Sequence, residues 1–343
     1  MIKAGIINVT GYAGMELARI LSRHPNVEVT SVTGRSSVGK HLPDLLPHLT
    51  SMNLTITEYV EESVDIVFSA LPSGASASTI APLIENGIRT IDIASDFRLT
   101  NPSEFKRAYQ ITHPAPHLLQ NVVYGLPEIH KSEVKEAQLV ANPGCFPTAA
   151  ILALAPAIKS KLITDDIIVD AKTGISGAGR GGLETKTVNH FAEANENTFA
   201  YGLDGHAHQP EITQELETLQ KNSNLEITFV PHRIPMTRGI LATCYGVLNT
   251  NRISNKEING IYREFYKSEP FVNVISSSPQ TKQTLGSNVC LIYPMIDTRT
   301  RRLIIISCID NLVKGAAGQA IQNMNLMFQF EETDGLQQLP LYP

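Results

Sequence analysis

Through the first 150 or so residues, short apolar runs alternate with segments whose apolar side chains recur every three or four positions. Residues 2–7, 27–32, 63–70, 89–93 and 137–141 are the runs, and they read as strands. Between them, residues 15–22 place Leu17, Ile20 and Leu21 on one helical face. Residues 80–86 read as another helix, with Gly87 set to stop it. This alternation predicts a parallel sheet with crossover helices.

After Cys145 the rhythm changes. Residues 149–155 open a helix, and residues 167–171, 226–230, 239–248 and 303–307 are long β-branched runs separated by helical or irregular stretches. These predict a second, α+β domain with an antiparallel or mixed sheet. Residues 316–328 read as an amphipathic helix with Ala320, Ile321, Met324 and Met327 on one side. The expected organisation is an α/β chain in two parts. A Rossmann-type nucleotide-binding domain covers 1–144, and a catalytic and oligomerisation domain covers 145–313. The C-terminal helix, within 314–343, packs back on the first domain.

Composition agrees with two cores, since 343 residues exceed one ordinary domain. A net charge of −5 provides no positive field for nucleic acid or an anionic membrane. No apolar run is long enough to span a bilayer, and the first residues run directly into a strand. Cys145, Cys244, Cys290 and Cys308 form no CxxC pair, which speaks against a zinc site or a disulfide framework. A reducing, cytoplasmic setting is expected.

The candidate chemistry begins where the first strand meets the first helix. Asn8-Val9-Thr10-Gly11-Tyr12-Ala13-Gly14 occupies the place where a dinucleotide pyrophosphate lies on helix N-terminal amides. Thr10, Gly11, Tyr12, Ala13 and Gly14 are the expected contacts. Asn8 stands where a first glycine is usual, and asparagine tolerates a left-handed backbone. The second strand ends in Arg35 and Ser36 rather than an acid, which suits the 2′-phosphate of NADP.

Cys145 follows a short strand and precedes a helix, where the positive end of the helix dipole would favour its thiolate. The same context also suits a small buried hydrophobe, and local sequence leaves both readings open. A thiol beside a nicotinamide suits addition to an acyl carbon followed by hydride transfer, with a histidine as proton donor. His206 and His208 stand out among ten histidines, set between Gly205 and Pro210 and followed by Glu211. As metal ligands they lack a third partner. The glycine-rich residues 174–182, with Ser176 and Gly177, could receive a phosphate or a ribose.

Seven blocks in order resemble the N-acetyl-γ-glutamyl-phosphate reductase family, over essentially the whole chain. They are Gly11-Tyr12-Ala13-Gly14-Met15-Glu16-Leu17, Ser95-Asp96-Phe97-Arg98, Asn142-Pro143-Gly144-Cys145-Phe146-Pro147-Thr148, Ser176-Gly177-Ala178-Gly179-Arg180, residues 206–212, residues 231–239 and residues 310–316. The resemblance implies an NADPH-dependent enzyme of arginine biosynthesis. Cys145 would attack an acyl phosphate and hold a thioester, with His208 as acid/base and Asn311 near the nicotinamide. Arg98, Arg233 and Glu211 would meet the substrate, and no metal is implied. The small-molecule substrate would be N-acetyl-γ-glutamyl phosphate, and the assembly a homo-oligomer, dimer or tetramer. Aspartyl or aminoadipyl phosphate reduction is the neighbouring alternative. The aspartate enzymes carry a catalytic histidine where this chain has Ile240. A non-catalytic nucleotide sensor on the same fold is the rival from another class.

Overall fold

Five of the apolar runs pair with one unanticipated strand, Val122–Tyr124, into one sheet in the computed structural model, which describes residues 1–61, 63–220, 224–250 and 252–343. The strands are β1 Ile2–Ile7, β2 Val27–Val32, β3 Ile66–Ser69, β4 Arg89–Asp92, β5 Val122–Tyr124 and β6 Leu139–Ala141. Their order is β2-β1-β3-β4-β6-β5, and every pairing is parallel. A parallel sheet is covered on both faces, so β3, Ile-Val-Phe-Ser, is buried at all four positions. That is why these strands read as continuous apolar runs. From β1 the chain moves to β2 on one side and then to β3 on the other. The order therefore reverses beside the C-terminal end of β1, where open α/β sheets bind ligands.

Local signals placed four of the helices but not all of their ends, and left Pro102–Tyr109, Pro127–Glu136, His208–Leu219 and Asn255–Phe265 unanticipated. The expected helix at 80–86 spans Ser76–Glu85 instead. Its N-terminus is capped from a distance: the Gly74 and Ala77 N–H groups donate to Asp96 Oδ2 and Oδ1 at 2.7 and 3.0 Å. Gly87 stops it as expected, at φ +87°, with its N–H on the Ile84 carbonyl.

The C-terminal helix, Gly318–Met327, corrects the amphipathic expectation, because every one of its residues is buried. Its polar side finds partners inside the first unit. Asn323 donates to the Gly125 carbonyl at 2.8 Å, Gln322 to Glu332 at 2.8 Å, and Asn325 pairs with the His24 ring at 2.9 Å.

The second sheet comprises β7 Ile163–Thr173, β8 Phe199–Ala200, β9 Glu226–Arg233, β10 Ile240–Leu248, β11 Val272–Val274, β12 Cys290–Asp297 and β13 Arg302–Ile309. Its order is β11-β12-β13-β10-β7-β9-β8. It is mixed: β7 with β9 and β11 with β12 are parallel, and the other pairs are antiparallel. Helices Cys145–Lys159, His208–Leu219 and Asn255–Phe265 pack over one face. Along β10, Ile240, Ala242 and Cys244 are buried while Leu241, Thr243 and Tyr245 stay half-exposed. Ile168, Ile304, Ile306 and Leu291 continue that half-exposed apolar face.

The helix that begins at Cys145 is buried from Phe146 to Ile158 and apolar all round, as a central helix must be. Pro156 removes the N–H that would have bonded the Leu152 carbonyl. The Tyr266 hydroxyl donates to that carbonyl instead, and the Tyr262 hydroxyl to Ala153 at 2.8 Å. The chain divides into two compact units. One is Met1–Pro143 with Gly179–Gly181 and Ala316–Gln338, and the other is Gly144–Ala178 with Gly182–Gly315 and Leu339–Pro343. Among the described residues no helix is long and apolar enough to cross a membrane.

Candidate active site

In the first unit, Asn8 turns the chain out of β1 at φ +65°, the left-handed conformation that asparagine accepts. Its side chain adds what glycine could not. Nδ2 donates to the Ala70 carbonyl at 2.8 Å, tying this turn to the segment after β3. Gly14 is required by space, since a Cβ there would lie 2.3 Å from the Asn8 carbonyl oxygen and 2.8 Å from Val9 Cα. A Cβ on Gly11 would come 3.0 Å from Asn8 Nδ2. Helix Tyr12–Leu21 starts here with no side-chain cap and no acid in its first turn. Thr10, Gly11, Tyr12, Ala13 and Gly14 thus surround helix N–H groups suited to an anion. Arg35 and Ser36 sit exposed on a short turn after β2, while Ser37 is buried.

Arg98, expected to meet substrate, is buried in the same unit. Its Nε donates to the Asn142 carbonyl at 2.8 Å and its Nη2 to Ile93 at 2.7 Å, bracing the segment that leads into the cysteine turn.

In the second unit, Cys145 is the first residue of its 15-residue helix, with Gly144 as N-cap at φ −63°, ψ 151°. That helix start also has no side-chain cap and no acid in its first turn. Cys145 is half-exposed, whereas Cys244, Cys290 and Cys308 are buried. Burial pushes the Cys308 thiol up to about 12 and also raises Cys244 strongly. Of the four thiols, Cys145 alone is accessible. The backbone at Gly315 packs on it so closely that a Cβ there would lie 2.8 Å from Cys145 Cβ.

Both histidines of the pair pack around Phe146, the residue after the cysteine. The His206 and His208 rings lie 6.1 and 5.9 Å from it, edge-on, and 4.7 Å from each other. Tyr201 and Phe229 complete the cage at 5.6 and 5.3 Å from His206. Burial, then the Arg233 charge, holds His206 down to about 4, so it is neutral near pH 7. Its Nδ1 accepts the backbone N–H of His208 at 3.1 Å, which leaves the ring proton on Nε2. His208 begins helix His208–Leu219. Glu211, one turn on and expected as a substrate contact, is wholly buried, and its Oε1 accepts the Gly144 N–H at 2.7 Å.

Arg233 is half-buried, with its guanidinium 5.1 Å over the Tyr201 ring and Nη1 on the Ile175 carbonyl at 3.3 Å. Burial pushes the Tyr201 hydroxyl up to about 12, with the charge of Arg233 opposing and that of Cys145 adding. Ser176, Gly177 and Asn311 come together as well. Asn311 Nδ2 donates to Ser176 Oγ at 3.0 Å, its Oδ1 accepts the Gly239 N–H at 2.7 Å, and a Cβ on Gly177 would lie 3.9 Å from its Nδ2.

Two contributors escaped the sequence reading. Tyr201 carries no motif of its own. Asp310 had a signal, an Asp opening a turn: it accepts the Leu312 N–H at 2.8 Å, and also the Gly286 N–H and the Arg238 guanidinium. Among the described residues no group of three or more His, Cys, Asp or Glu is placed to hold a metal ion.

Known proteins share this arrangement of sequence and fold. The pattern described as "Semialdehyde dehydrogenase, NAD binding domain" matches residues 3–137, and "Semialdehyde dehydrogenase, dimerisation domain" matches residues 145–311. The chain is 52% identical over 342 residues to an N-acetyl-gamma-glutamyl-phosphate reductase of Dehalococcoides mccartyi, covering 99% of each. Identity is 45% over 352 residues to that of Desulforamulus reducens, covering 100% of each. For Geobacter sulfurreducens it is 46% over 352 residues, again covering 100% of each. Among solved structures, aspartate semialdehyde dehydrogenase II of Vibrio cholerae matches with a TM-score of 0.74 at 16% identity, covering 96% of this chain and 98% of that one. The Candida albicans aspartate semialdehyde dehydrogenase with NADP matches with a TM-score of 0.71 at 17% identity over the same shares. At such identities the structures establish the fold alone. The chain belongs to the semialdehyde dehydrogenase family, within its N-acetyl-gamma-glutamyl-phosphate reductases.

Proposed function

We propose that the protein reduces N-acetyl-γ-glutamyl phosphate to N-acetylglutamate 5-semialdehyde and phosphate, using NADPH and a thioester on Cys145. The observation that carries this is the pairing of the one accessible thiol, at an uncapped helix N-terminus, with His208 against the adjoining Phe146 ring. The helix dipole favours the thiolate, the reacting form. The sulfur adds to the acyl carbon and the carbon–oxygen bond to phosphate breaks, which leaves the thioester. When bound, the dinucleotide supplies the hydride for that carbon. The resulting thiohemiacetal collapses to aldehyde and regenerates the thiolate. His208 holds the proton that the leaving phosphate oxygen takes. His206, neutral with its proton on Nε2, is a hydrogen-bond donor rather than a base.

The residues present fit NADP. The left-handed turn at Asn8 and the space kept by Gly14 admit a pyrophosphate at the helix start. Arg35 and Ser36 offer an exposed fork and hydroxyl for the 2′-phosphate. Ser176, Gly177 and Asn311 would hold the nicotinamide end. Arg233 is the candidate for a substrate anion, since a guanidinium matches phosphate or carboxylate geometry. Ile240 after Gly239 favours the acetylglutamyl substrate over aspartyl phosphate.

The half-exposed apolar face of the second sheet would be covered by a second copy of the chain, in keeping with the description of its matching domain. Free thiols and the biosynthetic reaction suit the cytoplasm.

The test runs the reaction in reverse, with N-acetylglutamate semialdehyde, phosphate and NADP, following reduced cofactor by absorbance. Phosphate-dependent reduction is expected. Turnover with aspartate semialdehyde and none with the acetylglutamyl compound would overturn the substrate assignment.

A further inference from the structure

The two residues proposed to do chemistry in the second unit open two different helices, Cys145 one and His208 the other. Between them stands a hydrogen bond that spans 67 positions in sequence: Glu211, in the first turn of the His208 helix, accepts the N–H of Gly144. Gly144 is both the residue before the nucleophile and the N-cap of its helix. The bond therefore fixes the last peptide before the sulfur against the turn that presents the imidazole. Glu211 is wholly buried, which opposes direct contact with a substrate. A carboxylate accepting an N–H in such a place makes a short, charge-assisted bond, and removing it would strand a buried donor.

We infer that Glu211 is a positioning residue, whose carboxylate holds the cysteine turn to the His208 helix and so sets the geometry between sulfur and imidazole. The inference rests on the reading of Cys145 as the nucleophile. Reaction rates respond steeply to such geometry, because a misplacement of about 1 Å can cost about a hundredfold. Substrate affinity does not depend on it.

The experiment uses the full-length enzyme in the semialdehyde-oxidising direction, with rates expressed per alkylatable Cys145 in folded protein. Glu211→Ala should lower kcat about thirtyfold or more, with KM for semialdehyde and phosphate changing less than about threefold. Glu211→Gln keeps an oxygen to accept the N–H and should recover kcat to within about fivefold of the parent. Gly144→Pro deletes the same N–H from the other side, and a φ of −63° already suits proline. If the two residues act as one contact, the double variant is no slower than the slower single variant. A rise in KM in place of the fall in kcat would show substrate contact and overturn the inference. Multiplying effects in the double variant, or parental kcat in folded Glu211→Ala, would overturn it equally. Where Glu211→Ala does not fold, Gly144→Pro decides by the same kcat and KM criteria. A parent with no turnover would instead sink the proposed function. The pH midpoint of Cys145 alkylation then decides: a shift in Glu211→Ala that Glu211→Gln restores supports the tether, and an unchanged midpoint refutes it.

Discussion

His206 Nδ1 accepts the backbone N–H of His208, so the first histidine of the pair shapes the turn that delivers the second. With that nitrogen engaged and the ring held down to about 4 by burial and by Arg233, His206 stays neutral where an ordinary histidine, at 6.5, begins to charge. The unfolded chain takes up a proton below 6.5, and the folded one resists until about 4. Stability is thus lost as pH falls through that window, by roughly 3 kcal/mol at most for this group.

His206→Asn should flatten part of that loss, because an asparagine side-chain oxygen can still accept the His208 N–H without titrating. His24 and His113, also held down by burial, would keep the remainder. Melting temperatures measured from pH 7 to pH 4 provide the check, and parallel curves for parent and variant would refute the assignment.

Cys145→Ala should abolish turnover and leave NADP binding intact, measured by titration of the bound dinucleotide. Loss of both would make the residue structural. In the parent, alkylation of Cys145 should show a pH midpoint below the free-thiol value of about 8.5. His208→Asn should slow turnover by about a hundredfold or more, and an unchanged rate would remove it from proton transfer.

Arg35→Ala should weaken NADP by about tenfold or more and NAD hardly at all, since a charge-assisted bond to the 2′-phosphate is at stake. Dissociation constants for both dinucleotides decide it. Equal weakening would place the arginine elsewhere.

Gly14→Ala would press a methyl carbon to 2.3 Å from the Asn8 carbonyl, which the backbone cannot accept without moving. Overpacking of this kind costs about 1–3 kcal/mol, read from chemical denaturation, and the displaced helix start should lose NADP affinity with it. Parental stability and affinity together would show that the turn relaxes freely.

Where the sequence could be read, the cause was local. The strand runs are legible because both faces of a parallel sheet are buried. The turn at Asn8 is legible because left-handed sterics admit few residues, and the stop at Gly87 for the same reason. Cys145 could be placed at a strand-to-helix junction, although its helix begins at the cysteine itself. The strands β5, β8 and β11, of two or three residues, carry little periodicity. β6 is as short but registered through the run 137–141 around it, and the eight-residue β12 went unread with Pro294 in its middle.

By itself, then, the chain determined its alternating elements, the glycines and asparagine that bend it, and the motif residues available for chemistry. Each of these follows from backbone sterics or apolar burial within a few neighbouring positions. Tertiary structure alone decided which partners those side chains found. Arg98 meets the Asn142 carbonyl 44 positions away, Glu211 the Gly144 N–H, and the polar side of the last helix lies buried. A hydrogen-bonding group has no partner written into its own segment. Packing brings distant backbone within 3 Å, and a buried charge or amide must then bond whatever arrives there.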